Sequence, residues 1–243
     1  ETPSGMLNSI GLTNPGLEGF IEEKIPALEA LDTGRIVSIA GTSSDEFAEM
    51  AESLCKRGGF DALELNVSSP NMKDGGMLFG CREEATYEVT KAVKAIADVP
   101  VYVKLTPNVT DITVIAKAVE DAGADGIAMI NTLLGMAIDV NRREPILGNI
   151  TGGLSGPAIK PVALALVWKV AQAVDIPIVG MGGITTPTDA IEFLIAGATA
   201  VQVGTATFVN PYAGPQILEG VESYCREKSI LDINELVGSL KTP

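Results

Sequence analysis

The chain has 243 residues, of which 46% are hydrophobic, and its formal net charge is −14. Acidity of this degree argues against a nucleic-acid partner, because phosphate neutralisation needs clustered Lys and Arg. No apolar run approaches the roughly 20 residues that cross a bilayer and no signal peptide is visible, so we expect a cytoplasmic protein without a membrane partner.

The cysteine and histidine content limits the kinds of site and reaction that this chain can carry. Cys55, Cys81 and Cys225 are widely separated and form no CxxC pair, which indicates a reducing compartment and no metal or iron–sulfur site on this chain. The chain has no histidine, so hydrolysis by a Ser–His–Asp triad is excluded. The first residue is Glu1 rather than Met, and we expect the true beginning of the polypeptide to lie upstream.

Short runs of Val, Ile and Leu alternate with helical segments along the chain. The predicted strands cover residues 35–40, 62–67, 101–105, 126–131, 176–180 and 200–204. The predicted helices cover residues 45–57, 83–97, 111–122, 158–174, 187–196 and 215–228, with a long loop before the fourth and Asp45 capping the first. Nearly continuous apolar strands are typical of a parallel sheet covered by helices.

Six strand–helix units predict an α/β fold. We predict a single domain over residues 1–243, a (β/α)8 TIM barrel whose first two βα units, roughly 60 residues at about 30 per unit, are missing from this chain. A doubly wound sheet is the alternative. It is disfavoured because no GxGxxG motif opens the first helix after a strand.

In a barrel the active site lies at the carboxyl ends of the strands. Gly182-Gly183 and Gly204-Thr205 follow the last two predicted strands, where free main-chain amides favour a phosphate; tight turns are the structural alternative. Lys104 ends an otherwise apolar strand, which favours an anionic or electron-rich ligand over a lysine that reaches out to solvent.

Three asparagines also lie at or beyond strand ends. Asn66, Asn71 and Asn131 each offer a donor and an acceptor for a planar, amide-rich ligand, although each alone is typical of a turn. Occurring together at these ends, they predict a recognition set.

Five segments resemble the dihydroorotate dehydrogenases: residues 1–12, 66–71, 103–108, 130–133 and 151–161. The last, TGGLSGPAIKP, is similar to the NAD-linked class. The resemblance implies oxidation of dihydroorotate to orotate in pyrimidine biosynthesis, with a proton leaving C5 and a hydride passing from C6 to FMN. It also implies a homodimer joined by two partner subunits into a heterotetramer, in which FAD and a 2Fe-2S cluster relay electrons to NAD.

The resemblance assigns roles by position. The residues implied at the substrate are Asn8, Ile10, Gly11, Leu12, Asn66, Asn71, Asn131 and Thr132. The residues implied at FMN are Ser38, Asn66, Lys104, Ile130, Gly156, Gly182, Gly183, Gly204 and Thr205, the last four at its phosphate. Ser69 and Lys104 are the implied catalytic residues.

Two positions depart from the family pattern. Ser69 stands where this class has a cysteine base, so it is either a natural serine base, an engineered replacement, or a sign of the quinone-linked class, which uses serine. Ser38 stands where an asparagine usually contacts the flavin, and its shorter side chain makes it a weaker candidate.

Other functions stay open at this point. A flavin barrel that reduces pyrimidines would share the Asn and Gly positions. An aldolase would use Lys104 as a Schiff base, and a phosphate-binding barrel would have no catalytic function.

Overall fold

The computed structural model describes residues 1–68 and 79–242. In these ranges the strands, in chain order, are β1 (Met6–Asn8), β2 (Ile36–Ile39), β3 (Ala62–Asn66), β4 (Val101–Leu105), β5 (Gly126–Met129), β6 (Leu133–Met136), β7 (Ile138–Asp139), β8 (Glu144–Pro145), β9 (Thr151–Ser155), β10 (Ile178–Met181) and β11 (Ala200–Gln202).

The α-helices are α1 (Gly16–Gly19), α2 (Ile25–Glu29), α3 (Ser44–Arg57), α4 (Glu83–Lys94), α5 (Ile112–Asp121), α6 (Lys160–Ala171), α7 (Pro187–Ala196), α8 (Ala206–Val209) and α9 (Ala213–Lys228). A π-helix spans Phe20–Lys24, and short 3-10 helices span Phe79–Cys81, Pro157–Ile159 and Ile233–Glu235. The chain divides into two compact units, the first with Glu1–Ser9, Thr106–Ile112 and Met129–Pro243, the second with Ile10–Leu105 and Thr113–Ala128.

The second unit is built on parallel strands that follow each other in chain order. β2 pairs with β3, and β3 with β4, in parallel register. One face of these strands is apolar and carries fully buried residues such as Leu63, Leu65 and Val103. α3 and α4 cover this face, and each fully buried leucine or valine contributes about 1.5–3 kcal/mol relative to an exposed one. The opposite face carries polar residues near the strand ends.

The first unit contains two arrangements of strands. β10 pairs with β11 in parallel, and the amide of Ile130 donates to the carbonyl of Met181 at 3.0 Å. β1, β9 and β6 form an antiparallel sheet with β9 in the centre. α6 and α7 pack against each other, and α7 packs against α9.

Strands are present at all six positions predicted from the sequence, as β2, β3, β4, β5, β10 and β11, and the pairs β2–β3, β3–β4 and β10–β11 are parallel as expected. Two local expectations were wrong. The long loop before α6 contains β6 to β9, whose short polar and glycine-rich runs lack a strong periodic pattern. Ser43, not Asp45, caps α3: its extended backbone lies outside the helix and its hydroxyl accepts from the Glu46 amide, while Asp45 lies in the first turn.

The part of the chain that the structure describes contains no helix long and apolar enough to span a membrane. In those same ranges, no group of three or more His, Cys, Asp or Glu side chains is arranged to hold a metal ion.

Candidate cofactor and substrate site

The predicted site residues are distributed over both units. Asn8, Ile130, Asn131, Thr132, Gly156, Gly182, Gly183, Gly204 and Thr205 lie in the first unit, and Ile10, Gly11, Leu12, Ser38, Asn66 and Lys104 lie in the second. Ser69 and Asn71 lie outside the described residues.

Gly5, Gly156 and Gly183 of the first unit form a glycine cradle, in which one stretch of main chain packs directly against another. A Cβ at Gly183 would lie 2.7 Å from the Gly156 carbonyl oxygen and 2.9 Å from the Lys160 amide nitrogen. A Cβ at Gly156 would lie 2.9 Å from Gly5 Cα. Gly183 also has a φ of 80°, which L side chains rarely adopt. The turn after β10 and the segment after β9 therefore approach as closely as only glycines allow.

Gly204 and Thr205 follow β11 in the same unit. A Cβ built on Gly204 would meet no heavy atom within 4 Å, so space is open above this residue. Thr205 donates a hydrogen bond from Oγ1 to Ser155 Oγ at 2.8 Å, which ties β9 to the start of α8. Glycine backbone beside open space is what a phosphate group needs, because its oxygens must come close to main-chain amides. The residues present fit such a group.

Lys160 follows the cradle segment, but its ammonium group is already paired. It lies 2.5 Å from Asp189 Oδ1 and 2.7 Å from Glu192 Oε2, and these two hydrogen bonds raise the lysine pKa. Two carboxylates therefore hold this cation beside the cradle segment.

Asp189 holds the turn that carries the glycines. Its carboxylate accepts hydrogen bonds from the amides of Thr185 and Thr186, and Thr186 caps α7 in a reciprocal capping box. Burial disfavours the ionised form of Asp189, but the bonds from Lys160 and the two threonines outweigh it and hold its pKa well below the usual range. Neither Lys160 nor Asp189 was predicted as a functional residue.

The antiparallel sheet of the first unit carries predicted substrate residues. Asn8 on β1 is the register partner of Gly153 on β9, and Leu134 on β6 is the partner of Gly153 on its other side. A Cβ at Gly153 would collide with the side chain of Thr132. This glycine therefore lets the Thr132 side chain pack closely on β9, beside the strand that ends in Asn8.

Asn108 was missed by the sequence analysis. Its Nδ2 donates to the Thr132 carbonyl at 3.0 Å, and its Oδ1 accepts from the Leu134 amide at 2.9 Å. One side-chain amide thus bonds the main chain on both sides of Leu133, as a neighbouring strand would. Its position three residues after β4, in the segment that resembles the family, was the available signal.

Polar residues of the second unit lie on one face of its parallel strands. Ser38 on β2 is the register partner of Glu64 on β3, and Asn66 on β3 is the partner of Lys104 on β4. Ser38 Oγ donates to Glu64 Oε1 at 3.2 Å, and Lys104 Nζ lies 3.5 Å from the same oxygen. Three of these four residues were predicted; Glu64 was not.

Residues 10–12 form an irregular segment after β1. The side chains of Ile10 and Leu12 are 72% and 51% exposed, and Gly11 has a φ of 81°. Their predicted contact with substrate stays a prediction.

Comparisons with known proteins identify the family of the chain. The family model for dihydroorotate dehydrogenase matches residues 1–225. The catalytic subunit of dihydroorotate dehydrogenase B (NAD+) from Desulforamulus reducens is 58% identical over 98% of this chain and 79% of its own length. The corresponding protein from Geotalea uraniireducens is 54% identical over 100% of this chain and 79% of its own length.

Solved structures show the same fold. Ligand-free DHODH from Eimeria tenella has a TM-score of 0.81 at 20% identity, covering 100% of this chain and 78% of that one. The predicted fold class is therefore confirmed as that of the α/β barrel oxidoreductases. More narrowly, the chain belongs to the dihydroorotate dehydrogenase family.

Proposed function

We propose that this protein oxidises dihydroorotate to orotate in pyrimidine biosynthesis, with FMN as its own cofactor. The observation that carries the proposal is the glycine cradle of Gly5, Gly156 and Gly183, which excludes side chains beside the open space above Gly204. Family membership and the relatives' names support the substrate. Bound FMN would supply the ring that accepts the hydride.

The chain's own residues bind and orient in this proposal. The amides of Gly182, Gly183, Gly204 and Thr205 hold the phosphate, and Gly156 and Ile130 contact the rest of the cofactor. Asn66, Lys104 and Ser38 contact the ring. Lys104 places positive charge where electron density builds on reduction, which favours the reduced form.

Dihydroorotate would be bound mainly by hydrogen bonds. The residues proposed around it are Asn8, Ile10, Gly11, Leu12, Asn66, Asn71, Asn131 and Thr132. Ser69 is the proposed base that takes the proton from C5 of the substrate.

The assembly proposed is that of the NAD-linked class. The two relatives named above are called catalytic subunits, which supports an electron-transfer partner. We propose that this partner carries FAD and a 2Fe-2S cluster and passes electrons to NAD, in a cytoplasmic heterotetramer built on a homodimer. Residues 1–243 would form a single domain of it.

One absorbance experiment tests the function. The purified protein should take up FMN, and dihydroorotate added without oxygen should bleach the flavin band, whereas dihydrouracil should not. A protein that binds no FMN, or is bleached by dihydrouracil but not by dihydroorotate, would contradict the proposal.

Ser69 gives a prediction about the base. A thiol has an ordinary pKa of about 8.5 and ionises far more readily than an alcohol, so we expect Ser69→Cys to raise turnover about tenfold at neutral pH. Stopped-flow bleaching of FMN by dihydroorotate measures this step directly. A loss of rate would instead show that the surroundings of position 69 are adapted to serine.

Asn108 gives a prediction about substrate binding. We expect Asn108→Ala to weaken orotate binding about tenfold, equal to about 1.4 kcal/mol, because the main chain around Leu133 loses two hydrogen bonds. Orotate titration of the flavin spectrum measures the affinity, and the Kd for FMN should not change. Asn234→Ala, which removes an exposed amide bonded to Asp232, is the control. Equal orotate affinity in both variants would refute a positioning role.

A further inference from the structure

Glu64 is a buried carboxylate of the second unit that lies outside the set of predicted site residues. Its side chain is only 7% exposed, in the middle of the three parallel strands β2, β3 and β4. A carboxylate in such a place is costly unless polar groups compensate it. Its retention on the face that carries Ser38 and Lys104 therefore points to a use for its charge.

Two residues proposed to contact FMN are partners of Glu64. Ser38, on one neighbouring strand, donates to Oε1 at 3.2 Å. Lys104, on the other neighbouring strand, places Nζ 3.5 Å from the same oxygen, and its side chain is 22% exposed. A single oxygen thus links the two proposed ring contacts across three strands.

We propose that Glu64 is a positioning residue, which fixes Lys104 and Ser38 at the flavin and moderates the positive charge of Lys104. The inference rests on the proposed function, because it needs FMN beside Lys104. A long, flexible lysine has many rotamers, and a buried carboxylate on the adjacent strand restricts them. The same carboxylate offsets the lysine charge, so that the pair presents a dipole rather than a full cation to the ring.

The flavin reduction potential reports this arrangement directly. Reduction adds electron density to the ring, and a neighbouring positive charge stabilises it. Glu64→Gln keeps the size and an acceptor oxygen for Ser38 and Lys104 but removes the opposing charge. The lysine charge is then no longer offset, and the midpoint potential of bound FMN should become more positive.

The experiment is spectroelectrochemical titration of the FMN-loaded protein, with the Kd for FMN measured by fluorescence. We expect Glu64→Gln to favour the reduced flavin at least tenfold, which is about 30 mV for a two-electron couple. Glu64→Asp keeps the charge but withdraws it by one methylene. It should shift the potential less in the same direction and weaken FMN binding severalfold, since Lys104 loses its fixed position. If Glu64→Gln does not fold, Glu64→Asp decides the question.

Glu52→Gln is the matched control, because it also removes a carboxylate paired with a lysine, at 2.7 Å from Lys56, but on the exposed face of α3. It should leave both the potential and the Kd unchanged. The inference would be overturned if Glu64→Gln changed the equilibrium between oxidised and reduced FMN by less than threefold, or if its midpoint potential became more negative than that of the parent. The proposed function would survive that result if the parent binds FMN and is bleached by dihydroorotate. A parent that takes up no FMN would overturn the proposed function, and this inference with it.

Discussion

Gly183→Ala should reduce FMN affinity at least 100-fold, equal to about 2.7 kcal/mol. The added Cβ would lie 2.7 Å from the Gly156 carbonyl oxygen and 2.9 Å from both Cβ and the amide nitrogen of Lys160. Two of these three atoms are main chain, so no rotation of a side chain relieves the overlap. The φ of 80° adds strain for alanine. The turn after β10 must therefore move away from the cradle, and its amides move with it.

Fluorescence titration with FMN measures the loss, and thermal unfolding without FMN separates it from a general loss of stability. Gly214→Ala is the control: a Cβ there would meet nothing within 4 Å, and alanine in α9 should stabilise the helix by up to about 1 kcal/mol. Unchanged FMN affinity in Gly183→Ala would show that the phosphate does not lie in this cradle.

The parallel strands could be predicted because their signal is local. β5 is apolar and buried throughout, β4 is buried at alternate residues, and helix α5 follows β4. α7 was predicted to the residue, as 187–196, with Pro187 at its start and Gly197 just after its end. The antiparallel sheet could not be predicted, because β1, β6 and β9 are short, and Met6 of β1 pairs with Ser155 of β9, far along the chain.

Site residues could be predicted from the sequence where their role follows from residue type and position along the chain. Gly183, after a strand, indicates a close approach of main chain even before the approaching atoms are known. Glu64 and Asn108 could not be found in this way, because their roles come from partners. In the sequence Glu64 only interrupts an apolar strand, and the structure shows Ser38 and Lys104 beside it. Asn108 has the sequence context of a turn former, and the structure shows its side-chain amide bonded to residues 132 and 134.

Asp189→Asn should lower the free energy of unfolding at neutral pH by about 2–4 kcal/mol, because it removes the negative charge from the buried ion pair with Lys160. The asparagine retains an oxygen for the amides of Thr185 and Thr186, so the cap of α7 is weakened rather than lost. Lys160 keeps its ion pair with Glu192. Chemical denaturation measures the change. Asp232→Asn changes the capping aspartate of an exposed 3-10 helix and should cost less than about 1 kcal/mol.

The pH dependence of the free energy of unfolding distinguishes the contribution of the Asp189 charge from that of its hydrogen-bond geometry. Its pKa in the folded protein lies below that of an unfolded aspartate, about 3.9. The stabilisation is therefore fully present above the unfolded value and is lost as the pH falls through the folded one. The difference between the parent and Asp189→Asn should be constant from pH 7 to 5 and shrink steadily below about pH 4. A difference that persists undiminished at pH 3 would mean that hydrogen-bond geometry, and not the ion pair with Lys160, holds the turn beside Gly183.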